Sequence, residues 1–299
     1  MAIATGDRID SPEALRELAE SLRHTTGVKP VVCVCRGTGC AASGSADVYA
    51  ALQKAVEELG MADEVEIKGT GCHGLCELGP VLVVRPLGIF YNRVKPEDAA
   101  EILQKTVRAG EPVERLLYKA DGEAILKEHD VPFYRKQQRI ALRLNGLIDP
   151  MSIDDYIRAG GYQSLAKVLF DCTPERVIDE ITASGLRGRG GGGFLTGRKW
   201  ASCRKARGDV KYVICNGDEG DPGAFMDRSI MEANPHAVLE GVIIGSHAIG
   251  AHQGYIYVRQ EYPLAVRTLR TALGQARDMG LLGENILGSG HSFDIGIVR

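Results

Sequence analysis

The chain has 299 residues, 44% of them apolar and 25% charged, the make-up of an ordinary globular protein with room for about two domains. Its formal net charge of −3 offers nucleic acid no overall attraction, and no run reaches the roughly 18 apolar residues that a membrane span requires. Eight cysteines with no recognisable secretory signal give the expectation of a cytoplasmic protein whose thiols serve as metal ligands rather than crosslinks.

In chain order, Ser11 and Pro12 open a helix as N-cap and first helical residue, and Leu15, Leu18 and Leu22 share one face. A strand over residues 30–35 follows. Asp47 to Leu59 reads as a second amphipathic helix stopped by Gly60, and Val65 to Ile67 as a short strand. Pro80 to Pro86 is a buried strand with Gly88 to Tyr91 as its hairpin partner, and Pro96 to Val107 closes the unit as a helix. The order αβαββα fits a small thioredoxin-like α/β domain over residues 1–110.

Two cysteine pairs sit on loops beside these strand ends. Four residues separate Cys35 from Cys40, and three separate Cys72 from Cys76. Paired thiolates on two loops can hold a [2Fe–2S] cluster, and Gly37, Gly39, Gly71 and Gly74 would let the loops turn tightly and expose N–H groups to sulfur. A structural zinc site uses similar pairs, and two disulfides or four unrelated buried thiols are further readings of the same spacing. Cys33 shares a strand face with Cys35 and reads as the better core residue, while Cys35 at the strand end is the better ligand. The isolated Cys172, Cys203 and Cys215 read as small buried apolar residues.

Residues 111–150 are charged and punctuated by Pro112, Pro132 and Pro150; they read as a linker with some helix, including Tyr134 to Leu144. A larger α/β domain is expected over residues 151–299. Thr173 caps a helix beginning at Pro174 and ending at Gly185. Val210 to Cys215 reads as a buried strand, Asn234 and Pro235 start a buried helix, and Gly254 to Val258, Pro263 to Met279 and Phe293 to Val298 alternate strand, helix, strand. Between Gly185 and Lys199 lies a basic glycine loop able to present N–H groups to an anion. It lacks the Gly-Lys-Ser/Thr of a P-loop, and it follows a helix rather than the strand of a Rossmann fingerprint. A flexible linker is the competing reading. The run Asn216-Gly217-Asp218-Glu219-Gly220-Asp221 at the end of the next strand reads alone as a turn; beside the basic loop it reads as part of a cofactor pocket.

The segments GRGGGGFLTGRKW, CNGDEGDPGAFMDR, GYIYVRQEYPLAV and LLGENILGSGHSFDI, behind the cysteine domain, resemble the NADH-binding flavoprotein subunit of respiratory complex I. They look closer still to its soluble relatives, the NAD(P)-linked iron hydrogenase and formate dehydrogenase subunits that carry a fused thioredoxin-like [2Fe–2S] ferredoxin domain. The resemblance implies a thioredoxin-like domain followed by a larger α/β flavin-binding domain that stops short of the family's carboxyl-terminal part, where a [4Fe–4S] cluster would lie. It implies Cys35, Cys40, Cys72 and Cys76 as cluster ligands, and Gly188, Arg189, Gly190, Lys199, Asn216, Asp218 and Glu219 around FMN. Phe194 would stack on the nicotinamide nucleotide, and Asp221 would lie near its ribose, favouring NADH over NADPH. Leu195 replaces the family's usual Pro, and His291 its usual Phe. The implied function is electron transfer between NADH, FMN and iron–sulfur clusters within a multi-subunit redox complex, with ferredoxin-like and catalytic subunits as partners and hydride chemistry that needs no acid–base side chain. The alternative is a [2Fe–2S] carrier or scaffold subunit without a working flavin site.

Overall fold

The run Val31–Cys35 does not alternate with polar residues, so a strand there needs cover on both faces. The computed structural model, which describes residues 7–25 and 29–299, supplies that cover from two different parts of the chain. The protein divides into two compact units, one of Thr25–Ser152 with Glu232–Asn234, the other of Met1–His24, Ile153–Met231 and Pro235–Arg299.

Helix α1 (Pro12–Thr25) belongs almost wholly to the second unit; Ser11 caps it, its Oγ accepting from the Ala14 N–H at 3.1 Å. In the first unit, β1 (Val31–Cys35), α2 (Thr38–Ala42), α3 (Ser45–Glu58), β2 (Glu66–Thr70), β3 (Leu82–Arg85) and β4 (Ile89–Tyr91) follow in order. Helix α4 (Ala99–Glu101) then runs on as a π-type segment over Ile102–Arg108. The sheet order is β2-β1-β3-β4, with β1 parallel to β2 and the other pairings antiparallel. Strand alternation splits the core in two. Val32, Val34, Leu82 and Val84 pack with Val48, Leu52, Ile102 and Leu103, while Cys33, Cys35, Val83 and Phe90 pack with Val131 and Tyr134.

The second of those layers corrects the expected linker. Residues 111–150 are part of the first unit, because the sheet's other face would lie bare without them. Val113, Leu116 and Leu117 enter the core. The hairpin of β5 (Tyr118–Ala120) and β6 (Glu123–Ile125) turns at Asp121-Gly122, whose φ values of 52° and 87° suit that dipeptide. Single bridges from Leu117 to Tyr91 and from Lys127 to Ile89 cover the β4 edge. The helix expected from Tyr134 to Leu144 is only α5 (Pro132–Arg135); beyond it the stretch is largely polar and Ile140 lies exposed, so no apolar stripe holds a longer helix down. The amino-terminal segment through His24 goes with the second unit rather than the first; the opening six residues of the expected 1–110 domain lie outside the described residues.

The second unit adds α6 (Ile153–Arg158), α7 (Gln163–Asp171), α8 (Pro174–Ala183), α9 (Thr196–Lys205), β7 (Tyr212–Gly217), α10 (Met226–Ala233), α11 (Pro235–Ile249), β8 (Gln253–Val258), α12 (Pro263–Asp278) and β9 (Asp294–Val298). Thr173 caps α8 as expected, accepting from the Arg176 N–H at 3.2 Å. The three strands are parallel in the order β7-β8-β9. Helices α11 and α12 cover one face, on which Ile256, Val258 and Ile295 are buried. On the other face Tyr212, Ile214, Tyr255 and Tyr257 are exposed, so β7 is not the fully buried strand its apolar run predicts. Among the described residues no helix is long and apolar enough to cross a membrane.

Candidate functional site

The first candidate site is built by two loops of the first unit, the one after β1 and the one after β2. Cys35 ends β1, Cys40 lies on α2, and Cys72 and Cys76 follow β2. The four sulfurs run as a chain of contacts: Cys40 with Cys35, Cys35 with Cys72, and Cys72 with Cys76 at 3.4 Å. Backbone N–H groups of Gly74 (3.3 Å to the Cys72 sulfur) and Val81 (to Cys40) point at sulfur. Hydrogen bonds from the Cys35 and Cys76 thiols and from Gly74 hold Cys72 well below the ordinary thiol range, so that sulfur is poised as a thiolate. A hydrogen bond with Cys35 lowers Cys40 as well.

Glycine lets the two loops press together. A Cβ at Gly37 would lie 2.8 Å from the Cys72 Cβ, and one at Gly39 would lie 2.8 Å from the Cys76 Cβ and 2.9 Å from its sulfur. Cys33 stands apart from this chain. It is buried on the same strand face, and burial pushes its thiol up to about 11, which keeps it protonated in the core. Cys35 and Cys40 are buried, Cys72 is half-buried and Cys76 is exposed, so one end of the sulfur chain reaches the surface. Among the described residues no group of three or more His, Cys, Asp or Glu side chains closes on a point as a single-ion site would. Four cysteine thiolates contributed in pairs by two loops are the donor set a [2Fe–2S] cluster takes.

Sequence reasoning missed the residues that brace these loops. His73, next to Cys72, is 1% exposed; its Nε2 meets the Thr70 hydroxyl at 2.9 Å and its Nδ1 lies 3.6 Å from Glu128. Burial opposes the charge on Glu128, yet His73 and the Arg85 guanidinium hold its carboxyl down to about 2. Gly146 packs on the His73 ring, and Arg139 donates to the His73 carbonyl at 3.4 Å. The only sequence signal was the charge of residues 111–150, which reads equally well as solvated linker.

The second candidate site lies in the second unit. The loop between α8 and α9 folds back as a narrow ribbon: the Gly188 N–H donates to the Phe194 carbonyl at 2.9 Å, the Thr196 N–H to the Leu186 carbonyl at 2.9 Å, and Arg187 Nη1 to the Gly193 carbonyl at 3.0 Å. Gly190 and Gly192 have no positive φ, and a Cβ at either would meet no atom within 4 Å, so the fold itself does not require glycine there. An exposed turn stripped of side chains fits a phosphate-bearing or flat ligand. Arg189 and Lys199 are exposed and, among the described residues, without an ion-pair partner; Arg198 lies 5.8 Å from the Phe194 ring centre, and Phe194 is 54% exposed.

Helix α9, which carries Lys199, was not read from the sequence. It is fixed by Gly197, whose missing Cβ would sit 2.1 Å from Thr182 Oγ1 on α8, and by Trp200, which packs over Gly245 of α11. At the end of β7 the Asn216 Oδ1 accepts from the Asp218 N–H at 3.2 Å, and Asp218 lies 3.9 Å from Arg259. Asp221 is exposed, and its carbonyl accepts from the Ala224 N–H. Glu219 differs from its neighbours. It is 8% exposed, and its carboxylate accepts from the Asp227 and Arg228 N–H groups at 3.0 and 3.2 Å, capping α10. No hydrogen bond or ion pair joins this segment to the glycine loop among the described residues. Asn216, Asp218 and Asp221 remain open to solvent; Glu219 is already committed. His291 meets Ser246 at 2.9 Å, and burial lowers it to about 4.

Residues 181–298 match the Nuo51 FMN-binding domain, and residues 21–107 match the thioredoxin-like [2Fe-2S] ferredoxin family. Among curated relatives, the chain is 56% identical over 161 residues to the NADP-reducing hydrogenase subunit HndC of Solidesulfovibrio fructosivorans, covering 54% of this chain and 32% of that one. It is 51% identical over 148 residues to an NADH-quinone oxidoreductase subunit of Aquifex aeolicus, covering 50% and 34%. It is 35% identical over 232 residues to the NAD-reducing hydrogenase HoxS subunit alpha of Cupriavidus necator, covering 76% and 36%. The chain thus spans about a third of the length of these relatives.

Proposed function

We propose, on the premise that this chain belongs to the Nuo51-type FMN-binding flavoprotein family with a thioredoxin-like [2Fe–2S] ferredoxin segment ahead of it, that it passes electrons between NADH, FMN and iron–sulfur clusters as one subunit of a redox complex. The observation that carries the reading is the row of four cysteine sulfurs on two facing glycine-bearing loops, ahead of a segment matched to FMN binding. Cys35, Cys40, Cys72 and Cys76 would hold the [2Fe–2S] cluster. Gly188, Arg189, Gly190, Lys199, Asn216 and Asp218 would hold FMN, with the cations on phosphate and the amide and acid on hydroxyls and ring edges. Glu219 would serve that pocket by fixing α10 and the turn before it.

Bound flavin supplies the hydride and single-electron chemistry. The chain's own residues orient and exclude. Exposed Phe194 offers a face for a nicotinamide ring, and exposed Asp221 would repel a 2′-phosphate, favouring NADH over NADPH. Relatives named as hydrogenase or quinone oxidoreductase subunits support a subunit role in a redox assembly.

The test is anaerobic purification of the chain with its partner subunits, followed by cofactor analysis. Expected are about two irons and two sulfides held by these four cysteines, FMN in stoichiometric amount, and bleaching of the flavin by NADH faster than by NADPH. Iron and sulfide without flavin would replace this reading with that of an electron carrier. Equal rates with both dinucleotides would remove the role given to Asp221.

A further inference from the structure

A cavity of about 490 Å³ lies in the first unit beside the cluster loop, outside every residue assigned above to cluster, flavin or nucleotide. Four arginines line it: Arg85, Arg135, Arg139 and Arg143. The one carboxylate in the wall, Glu128, is neutralised by Arg85, which leaves a surplus of positive charge. Arg135 and Arg143 are exposed and, among the described residues, have no ion-pair partner. Arg139 is aligned rather than free, its guanidinium lying 4.7 Å over the Tyr134 ring.

Two deeply buried polar side chains in the same wall lack hydrogen-bond partners. Tyr134 is 7% exposed with an unsatisfied hydroxyl, and Asn145 is 5% exposed with an unsatisfied Oδ1; the Arg85 Nε is unsatisfied as well. Leaving such atoms unpaired costs stability unless something bonds to them. Burial pushes the Tyr134 hydroxyl up, so it stays protonated and able to donate. Arginine forks match phosphate or carboxylate, a buried amide oxygen matches a ligand hydroxyl, and the volume is that of a small-molecule site.

We propose that this arginine-lined pocket binds a small hydroxylated organic anion, of the sugar-phosphate or nucleotide class, with its charge on Arg135, Arg139 and Arg143 and its hydroxyls on Tyr134 and Asn145. The bound anion would sit against the loop that carries Cys72, because Arg139 also holds the His73 carbonyl. The site thus offers a way for a metabolite to act on the cluster's surroundings by changing the charge beside it.

The test is calorimetric titration of the intact, cofactor-loaded protein with ribose 5-phosphate, with ADP and with citrate, in constant ionic strength. Expected is saturable binding of a phosphorylated probe, weakened at least about tenfold by Arg143→Gln and by Arg135→Gln, and weakened also by Tyr134→Phe, which keeps the ring and removes only the hydroxyl. NADH reduction of the flavin should be unchanged in all three variants, which separates this pocket from the nucleotide site. No saturable binding of any probe overturns the proposal, as does binding that all three variants leave intact. Loss of association with a partner subunit in Arg135→Gln or Arg143→Gln, without small-molecule binding, would also overturn it and assign the arginines to an acidic protein surface.

Discussion

Cys33 and Cys35 occupy the same strand face two residues apart, yet only Cys35 joins the sulfur chain. Cys33→Ala should leave iron and sulfide content unchanged, whereas Cys40→Ser should lose most of both; metal analysis of the purified variants decides it. The division was legible from sequence, because a strand end can release a side chain to a loop and a strand interior cannot. What the sequence could not convey is the bracing of His73 by Glu128, Arg85 and Gly146, which come from 12 to 73 residues away along the chain by number. Gly190 allows the sharpest single-residue test at the other site. Its Cβ position meets nothing within 4 Å and its φ is not positive, so Gly190→Ala should leave the denaturant midpoint unmoved. FMN affinity should fall by about tenfold or more if the backbone there approaches the ligand. Unchanged affinity, read by flavin fluorescence on titration, would remove Gly190 from the pocket.

Helix α9 is held by close packing at Gly197 as well as by Trp200. Gly197→Ala would drive a methyl group into Thr182 on α8, destabilising the second unit by about 2 kcal/mol and displacing Lys199 with the helix. Trp200, the protein's single tryptophan, packs on the same helix contact and reports it: its fluorescence should give an earlier unfolding midpoint in the variant. Elements with their own local signals were readable in advance, such as α1 and α8 with their Ser and Thr caps and the β1 run with its unbroken apolar character. Elements set by distant packing were not. Residues 111–150 look like linker because their charges are conspicuous, while the few apolar residues that bury against the sheet, Val113, Leu116, Leu117, Val131 and Tyr134, are scattered among them. The exposed face of β7 and β8 was hidden for the reverse reason: aromatic and β-branched residues read as buried whether or not anything covers them.

Acid should weaken the second unit in a predictable window. His236 is buried against Tyr162 and Gln275, and burial lowers it to about 4 from an ordinary 6.5; His291 shifts the same way. The folded state therefore stays neutral while the unfolded chain takes up protons. The stability contributed is complete above pH 6.5 and drains away as pH falls toward 4, at about 1.4 kcal/mol per unit for each such histidine. Denaturation followed by Trp200 should show that slope, and His236→Gln should reduce it by about half, leaving the His291 contribution. The order of a four-cysteine domain ahead of a basic glycine loop was evident from the motifs, but the boundaries of the two units were not, since the amino-terminal helix goes with the second unit rather than the first and residues 111–150, expected as a linker, are part of the first. The electron-transfer account is tested most directly by low-temperature electron paramagnetic resonance of the anaerobically purified complex after addition of NADH. It predicts a reduced [2Fe–2S] signal in the wild type that disappears in Cys72→Ser while NADH still bleaches the flavin. An identical signal in that variant, or none in the wild type despite bleached flavin, would contradict it.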